Sequence, residues 1–165
     1  MIRTNKTKHG YAILELLFYI SFFAIISLVV IEAMITMTRS FKETSIQAEW
    51  SRGEDIMERI SREIRTAYEI NTIGSGNLKL NTKDSDGENI TMQFLLSGSD
   101  IQFFNNEVLV GNLNTPNVLV SGLTFTQINT TKGKAIKIFF TVQSAGDILN
   151  RTQDFYNTVV LRGIY

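Results

Sequence analysis

Between Tyr11 and Ile31 every residue but one is uncharged, and that one is Glu15. The run is too apolar for the surface of a folded domain and too long for most buried core helices. As a helix, its 21 positions (31 − 11 + 1) would extend about 30 Å, the thickness of a bilayer's hydrocarbon core. A carboxylate at such depth costs about 2.5–3.5 kcal/mol on insertion scales, and residues of this kind are retained where they have a partner and a task. The charges before the run, Arg3, Lys6 and Lys8, are all basic. Positive flanks stay on the cytoplasmic side, so everything after Arg39 is expected outside.

Two ordinary segments share part of this pattern. A secretory signal peptide has an apolar stretch of about 7–15 residues followed by a small-x-small cleavage site, and neither feature fits here. An uncleaved signal anchor shares the length but gives Glu15 no purpose. A third arrangement uses Gly10. If the chain is cut after Gly10, the new amine on Tyr11 lies four residues before the carboxylate. That spacing suits a charge pair within one helical turn or between staggered neighbouring helices.

Lys8-His9-Gly10-Tyr11-Ala12-Ile13-Leu14-Glu15-Leu16-Leu17 resembles the type III signal of the prepilin family. That signal combines a basic leader, a glycine before the cut, a glutamate four residues after the new terminus and an apolar helix. Tyr11 stands where Phe or Met is more usual. The resemblance implies cleavage between Gly10 and Tyr11 by prepilin peptidase, N-methylation of Tyr11, and an assembly role for Glu15. Residues 1–10 would be the leader and 11–38 the transmembrane or filament-core helix.

Sixteen basic and sixteen acidic residues cancel over the 165 residues, and loss of the leader removes three bases, for about −3 (13 − 16). Such a balance predicts no basic nucleic-acid footprint. Lys132, Lys134 and Lys137 form a small cluster best read as a solvated strand face. There is no Cys, and the single His, His9, falls in the leader. A processed chain would lack the groups for Ser-His-Asp or Cys-His nucleophilic chemistry and for the commonest zinc sites. The expectation is a protein that is not an enzyme and carries no cofactor.

Beyond the apolar run no Gly or Pro interrupts the chain before Gly53. Ile46, Trp50, Gly53, Met57, Ile60, Ile64 and Ala67 recur at alternating spacings of four and three, a narrow helical stripe. Asp55/Arg59, Glu58/Arg62 and Arg59/Glu63 are opposite charges four apart and support an exposed face, whereas Glu54/Glu58 opposes it. One helix is expected from about Tyr11 to about Ile70, with residues 39–70 as an amphipathic stem. Gly53 either weakens this helix by about 1 kcal/mol relative to Ala or admits a strand closely. Glu32 is read as the outer membrane boundary, with a second intersubunit contact as the sharper alternative.

After Gly74-Ser75-Gly76-Asn77 the apolar period changes to two. Leu78/Leu80, Ile90/Met92/Phe94/Leu96, Ile101/Phe103, Val108/Val110, Val118/Val120, Leu123/Phe125 and Ile136/Ile138/Phe140/Val142 alternate, and Thr152 to Arg162 carries Phe155, Val159 and Leu161. Ser121-Gly122 reads as a bulge. Six or seven short antiparallel strands should form an extracytoplasmic domain over 71–165, packed on the stem. The fold class is α+β.

This half adds to the resemblance. Arg59-Ile60-Ser61-Arg62-Glu63-Ile64-Arg65-Thr66-Ala67, followed by strands and Val118-Leu119-Val120-Ser121-Gly122-Leu123-Thr124-Phe125, resembles the J-type minor pseudopilin of type II secretion. It is similar as well to the W-type minor pilin of type IV pili. The implied fold is pilin-like, and the implied role is a minor subunit that initiates or caps a filament. The implied partners are other pilins or pseudopilins, prepilin peptidase, an inner-membrane assembly platform and lipid, with nucleic acid disfavoured by charge. The implied location is the cytoplasmic membrane, then a pilus or pseudopilus. A competence minor pilin for DNA uptake and a membrane-anchored binding domain are the alternatives.

Weaker motifs add little. Asp84-Ser85-Asp86-Gly87-Glu88-Asn89 resembles a calcium loop but has Thr82 and Gln93 where ligands belong, and Asp86-Gly87 reads better as a hairpin turn. Asn89-Ile90-Thr91, Asn129-Thr130-Thr131 and Asn150-Arg151-Thr152 match the N-glycosylation pattern, which is mostly accidental in the bacterial or archaeal envelope that the resemblance implies. Trp50 belongs to the stem's apolar stripe, and Asp100 and Asp154 lack catalytic partners in the sequence.

Overall fold

The computed structural model describes residues 9–130 and 133–162. Residues 1–8 of the expected leader and Lys132 of the lysine cluster lie outside the described residues. One helix, α1 (His9–Thr66), is followed by eight strands: β1 (Glu69–Gly74), β2 (Asn77–Lys83), β3 (Asn89–Ser97), β4 (Asp100–Asn105), β5 (Val108–Asn112), β6 (Val118–Thr130), β7 (Gly133–Ser144) and β8 (Thr152–Val160). The chain divides into two compact units, 1–44 and 45–165.

The first unit, in its described part, is helix. Its apolar side chains are exposed throughout; from Tyr11 to Phe41 not one residue is buried.

The second unit is an α+β domain. All its strand pairs are antiparallel, in a five-stranded sheet ordered β1-β2-β3-β4-β5 and a three-stranded sheet ordered β6-β7-β8. Gly76 joins the two sheets. Its N–H donates to the Leu123 carbonyl at 2.8 Å and its carbonyl accepts from the Leu96 N–H at 2.7 Å. Inward-facing residues of both sheets, among them Leu78, Leu80, Phe94, Ile101, Val120, Leu123, Ile136, Ile138 and Phe140, share one core with Ile56, Met57, Ile60, Ile64 and Ala67 of α1. The stripe read from the sequence is thus the packed face of the helix, joined by Ile56 and by Ser61, which is buried and accepts a hydrogen bond from Asn157 Nδ2 at 3.1 Å.

Gly53 lies where the helix meets β8. A Cβ at this position would fall into the ring of Phe155, well inside van der Waals contact. Of the two roles open to this glycine, close approach is the one the packing uses. The Phe155 ring stacks on Phe140, with centroids 5.5 Å apart.

The helix ends at Thr66, four residues short of Ile70. The Ala67 N–H reaches back three residues to Ile64, and the Tyr68 N–H already pairs with the Asn81 carbonyl at 3.0 Å. Residues 69–74 then alternate as a strand against β2. Tyr68 and Ile70 suit a pleated surface better than a helix end, so an eighth strand forms where helix and turn were expected. Asn106 and Glu107 carry φ of 49° and 68°, the signature of a two-residue type I′ hairpin between β4 and β5. Register slips between Ser121 and Thr124, and Gly122 has φ 63°, so the expected bulge is present. Val108 and Val110 alternate in sequence but are exposed, because β5 is the sheet's outer edge.

Candidate functional site

The helix that opens the chain is 58 residues long, about 87 Å at helical rise. It contains a window of mean hydropathy 2.5 with nothing buried against the rest of the chain. By length and composition it is long and apolar enough to cross a membrane. Contiguous exposed apolar surface of this kind is characteristic of membrane- or protein-contacting segments.

Gly10 and Tyr11 lie in the first turn of α1. Glu15 follows one turn later, and Tyr11, Leu14, Glu15, Phe18 and Tyr19 line one shallow hollow on the helix. Sequence reasoning placed Tyr11 and Glu15 together, and the helix puts them on one face. Among the described residues, however, the hydrogen bond to Glu15 comes from elsewhere. The Tyr19 hydroxyl donates to Glu15 Oε1 at 3.2 Å. Side chains on a helix lean toward its N-terminus, so a long residue at i+4 overlies residue i. Tyr19 was read only as part of the apolar run; its i, i+4 spacing from Glu15 was the signal available. Glu32, also exposed, borders a second hollow with Val29, Ala33, Thr36, Met37 and Phe41.

Several of the β-domain's polar groups hold loops. Asp84 Oδ1 accepts the N–H groups of Asp86 (3.0 Å) and Glu88 (2.9 Å), and Gly87 has φ 83°, so residues 84–88 fold as a hairpin turn. No three of His, Cys, Asp and Glu converge as metal ligands among the described residues. Asn114 is buried; its Oδ1 accepts from the Ile101 N–H at 2.9 Å and its Nδ2 donates to the Val118 carbonyl at 2.7 Å and to Asp100 Oδ1 at 2.8 Å.

Asp147, also buried, organises the β7–β8 loop. Its carboxylate accepts from Arg151 Nε at 2.8 Å and from the N–H groups of Leu149 and Arg151. The Arg151 side-chain hydrogen bond is the leading cause that pulls the Asp147 carboxyl down to about 2. The Arg151 guanidinium also sits 5.4 Å from the Trp50 ring centre, and the Ser144 hydroxyl donates to Glu49, so the loop is tied to the stem at two points. Asp100 and Asp154 are likewise engaged, by Asn114 and by the Thr141 hydroxyl.

No protein-family profile, curated protein or solved structure matches the chain.

Proposed function

We propose that this chain is a pilin-like structural subunit, a minor pilin or pseudopilin that starts or caps a type IV pilus or type II secretion pseudopilus. The observation that carries this reading is Glu15, an exposed carboxylate on an apolar helix surface that accepts a hydrogen bond from the Tyr19 phenol. In a plain membrane anchor such a group costs free energy and gives nothing in return. In a filament it neutralises the amine of Tyr11 on an adjacent subunit and sets the register between the two helices. An amine–carboxylate pair shielded from water is much stronger than the same pair at a surface.

In this reading prepilin peptidase cuts after Gly10 and Tyr11 becomes the methylated terminus. The apolar helix holds the subunit in the cytoplasmic membrane with its N-terminus inside, and the β-domain lies outside. On assembly the same helix moves into a core formed with other pilin-like subunits at an inner-membrane platform. The function is packing, with no turnover of a substrate.

The test is intact mass and N-terminal sequencing of the chain extracted from membranes of cells with a working prepilin peptidase. The expected product starts at Tyr11 and carries one added methyl group. A chain that retains its first ten residues refutes the assignment.

A further inference from the structure

Glu15 faces two environments in the proposed life of this protein: lipid before assembly and a neighbouring helix afterwards. The amine of an adjacent subunit is present only in the second, and before cleavage the chain's own Tyr11 offers none. In the first, a bare carboxylate in hydrocarbon disfavours insertion and leaves its own rotamer undefined. The Tyr19 hydroxyl, 3.2 Å from Oε1, supplies the missing donor from within the same helix.

We propose that Tyr19 is the positioning residue for Glu15, holding one carboxylate oxygen while the segment is in lipid and leaving the other for an incoming amine. Three features support this. The contact is between i and i+4, so it forms with the helix itself and needs no partner chain. The phenol ring is apolar, so its hydroxyl enters the hydrocarbon at a small fraction of the cost of a second charge. The bond is long for O–H···O, whose usual range ends near 3.0 Å. A weak bond of this kind limits rotamers and yields readily when a charged donor arrives. Oε1 is the oxygen engaged, and Glu15 lines the same hollow as Tyr11.

The half of this inference that concerns the incoming amine rests on the proposed function; the half that concerns lipid does not. The experiment separates them. Full-length wild type, Tyr19→Phe, Glu15→Ala and the double variant are expressed in cells lacking other filament subunits, and the share resisting alkaline extraction is measured. Phe is more apolar than Tyr, so Tyr19→Phe should slightly favour insertion when position 15 is Ala. With Glu15 present it should instead lower the ratio of inserted to extracted chain by about threefold, the typical size of a side-chain hydrogen bond in membrane proteins. That reversal of sign is the signature of action through Glu15. The same variants are then scored for incorporation in cells with the complete machinery, where Tyr19→Phe should incorporate less even after correction for the amount inserted. Equal effects of Tyr19→Phe in both backgrounds would overturn the positioning role. Coupling in insertion with unchanged corrected incorporation would overturn the assembly half and leave Tyr19 a device for anchoring.

Discussion

Adding one methyl group at Gly53 should destabilise the protein, against the usual rule for a helix interior. Gly→Ala within a helix ordinarily gains about 1 kcal/mol. Here the new Cβ would overlap the Phe155 ring, contacting Cδ2 at 2.9 Å and two further ring carbons more closely still. Relief requires Phe155 to swing off Phe140 or β8 to move away from the helix. Overpacking of this kind costs about 1–3 kcal/mol, and loss of the ring stack about 0.5–1.5 kcal/mol more. Set against the propensity gain, Gly53→Ala should be net destabilising by about 0.5–3.5 kcal/mol. The decisive comparison uses Phe155→Ala, which removes the ring. In that background the methyl group has space, and Gly53→Ala should stabilise by about 1 kcal/mol. The implied coupling is about 1.5–4.5 kcal/mol, in the upper part of the range for residues in direct contact or above it. Urea unfolding of the full-length protein in detergent, followed by fluorescence of Trp50, the only Trp and one turn away, provides the assay. If Gly53→Ala is neutral or stabilising with Phe155 in place, the ring does not occupy that space and the packing of β8 on the helix is wrong.

Glu15→Ala should leave cleavage after Gly10 intact, read by N-terminal sequencing, while the share of chain recovered in sheared filaments falls to background. Asn114→Ala should destabilise the domain by about 2–3 kcal/mol in the same unfolding assay, since it orphans the buried Ile101 N–H and weakens the closure of the 112–118 loop. The Arg151 side chain holds the Asp147 carboxyl at about 2 in the folded protein, below its ordinary value of 3.8. Its contribution should be complete above about pH 4 and lost as pH falls through about 2, because the unfolded chain takes up the proton first. Arg151→Ala removes the leading cause of that shift, so its stability between pH 2 and pH 4 should vary less with pH than the wild type's; parallel curves would show that the pair does not set this dependence.

Much of the domain could be read from periodicity, because burial and chemistry agree there. The spacing of four and three that runs through Ile46, Met57, Ile60 and Ile64 is the buried face of α1, and Ile136, Ile138, Phe140 and Val142 are all buried on β7. Other features were decided by tertiary pairing. Residues 67–70 can be helical or extended, and the choice falls to strand because Asn81 offers a carbonyl to the Tyr68 N–H. Val108 and Val110 have the pattern of core residues, but nothing in a strand's own sequence says that it will be the last in its sheet. Ser61 is polar yet buried, with Asn157, 96 positions away, bringing it a donor. At the candidate site, Gly10, Tyr11 and Glu15 were visible as charge and glycine set against apolar surroundings. Tyr19 was hidden because its ring belongs to the apolar run and only its hydroxyl does not.

The exposed helix also has more apolar surface than a membrane can use. Large apolar side chains stand free from Tyr11 through Ile31 and continue past Glu32 at Met34, Ile35, Met37 and Phe41. From Tyr11 to Phe41 is 31 positions, about 46 Å of helix, against a hydrocarbon core of about 30 Å. Tilt absorbs some excess length, but sinking Phe41 into lipid would also drag Glu32 and Arg39 there, each at a cost of about 2.5–3.5 kcal/mol. If Glu32 marks the lipid boundary, the segment from Met34 to Phe41 stands in water whenever the subunit is unassembled. Lipid therefore covers the first part of the surface and leaves the second bare. Burying the second part takes another apolar helix alongside, which is what a filament of such subunits supplies and a solitary anchored domain does not. The carboxylate at Glu15 and the excess apolar length past Glu32 are independent features, one of charge and one of dimension. Both are costs for a monomer, and in the proposed filament the same neighbouring helices would offset both.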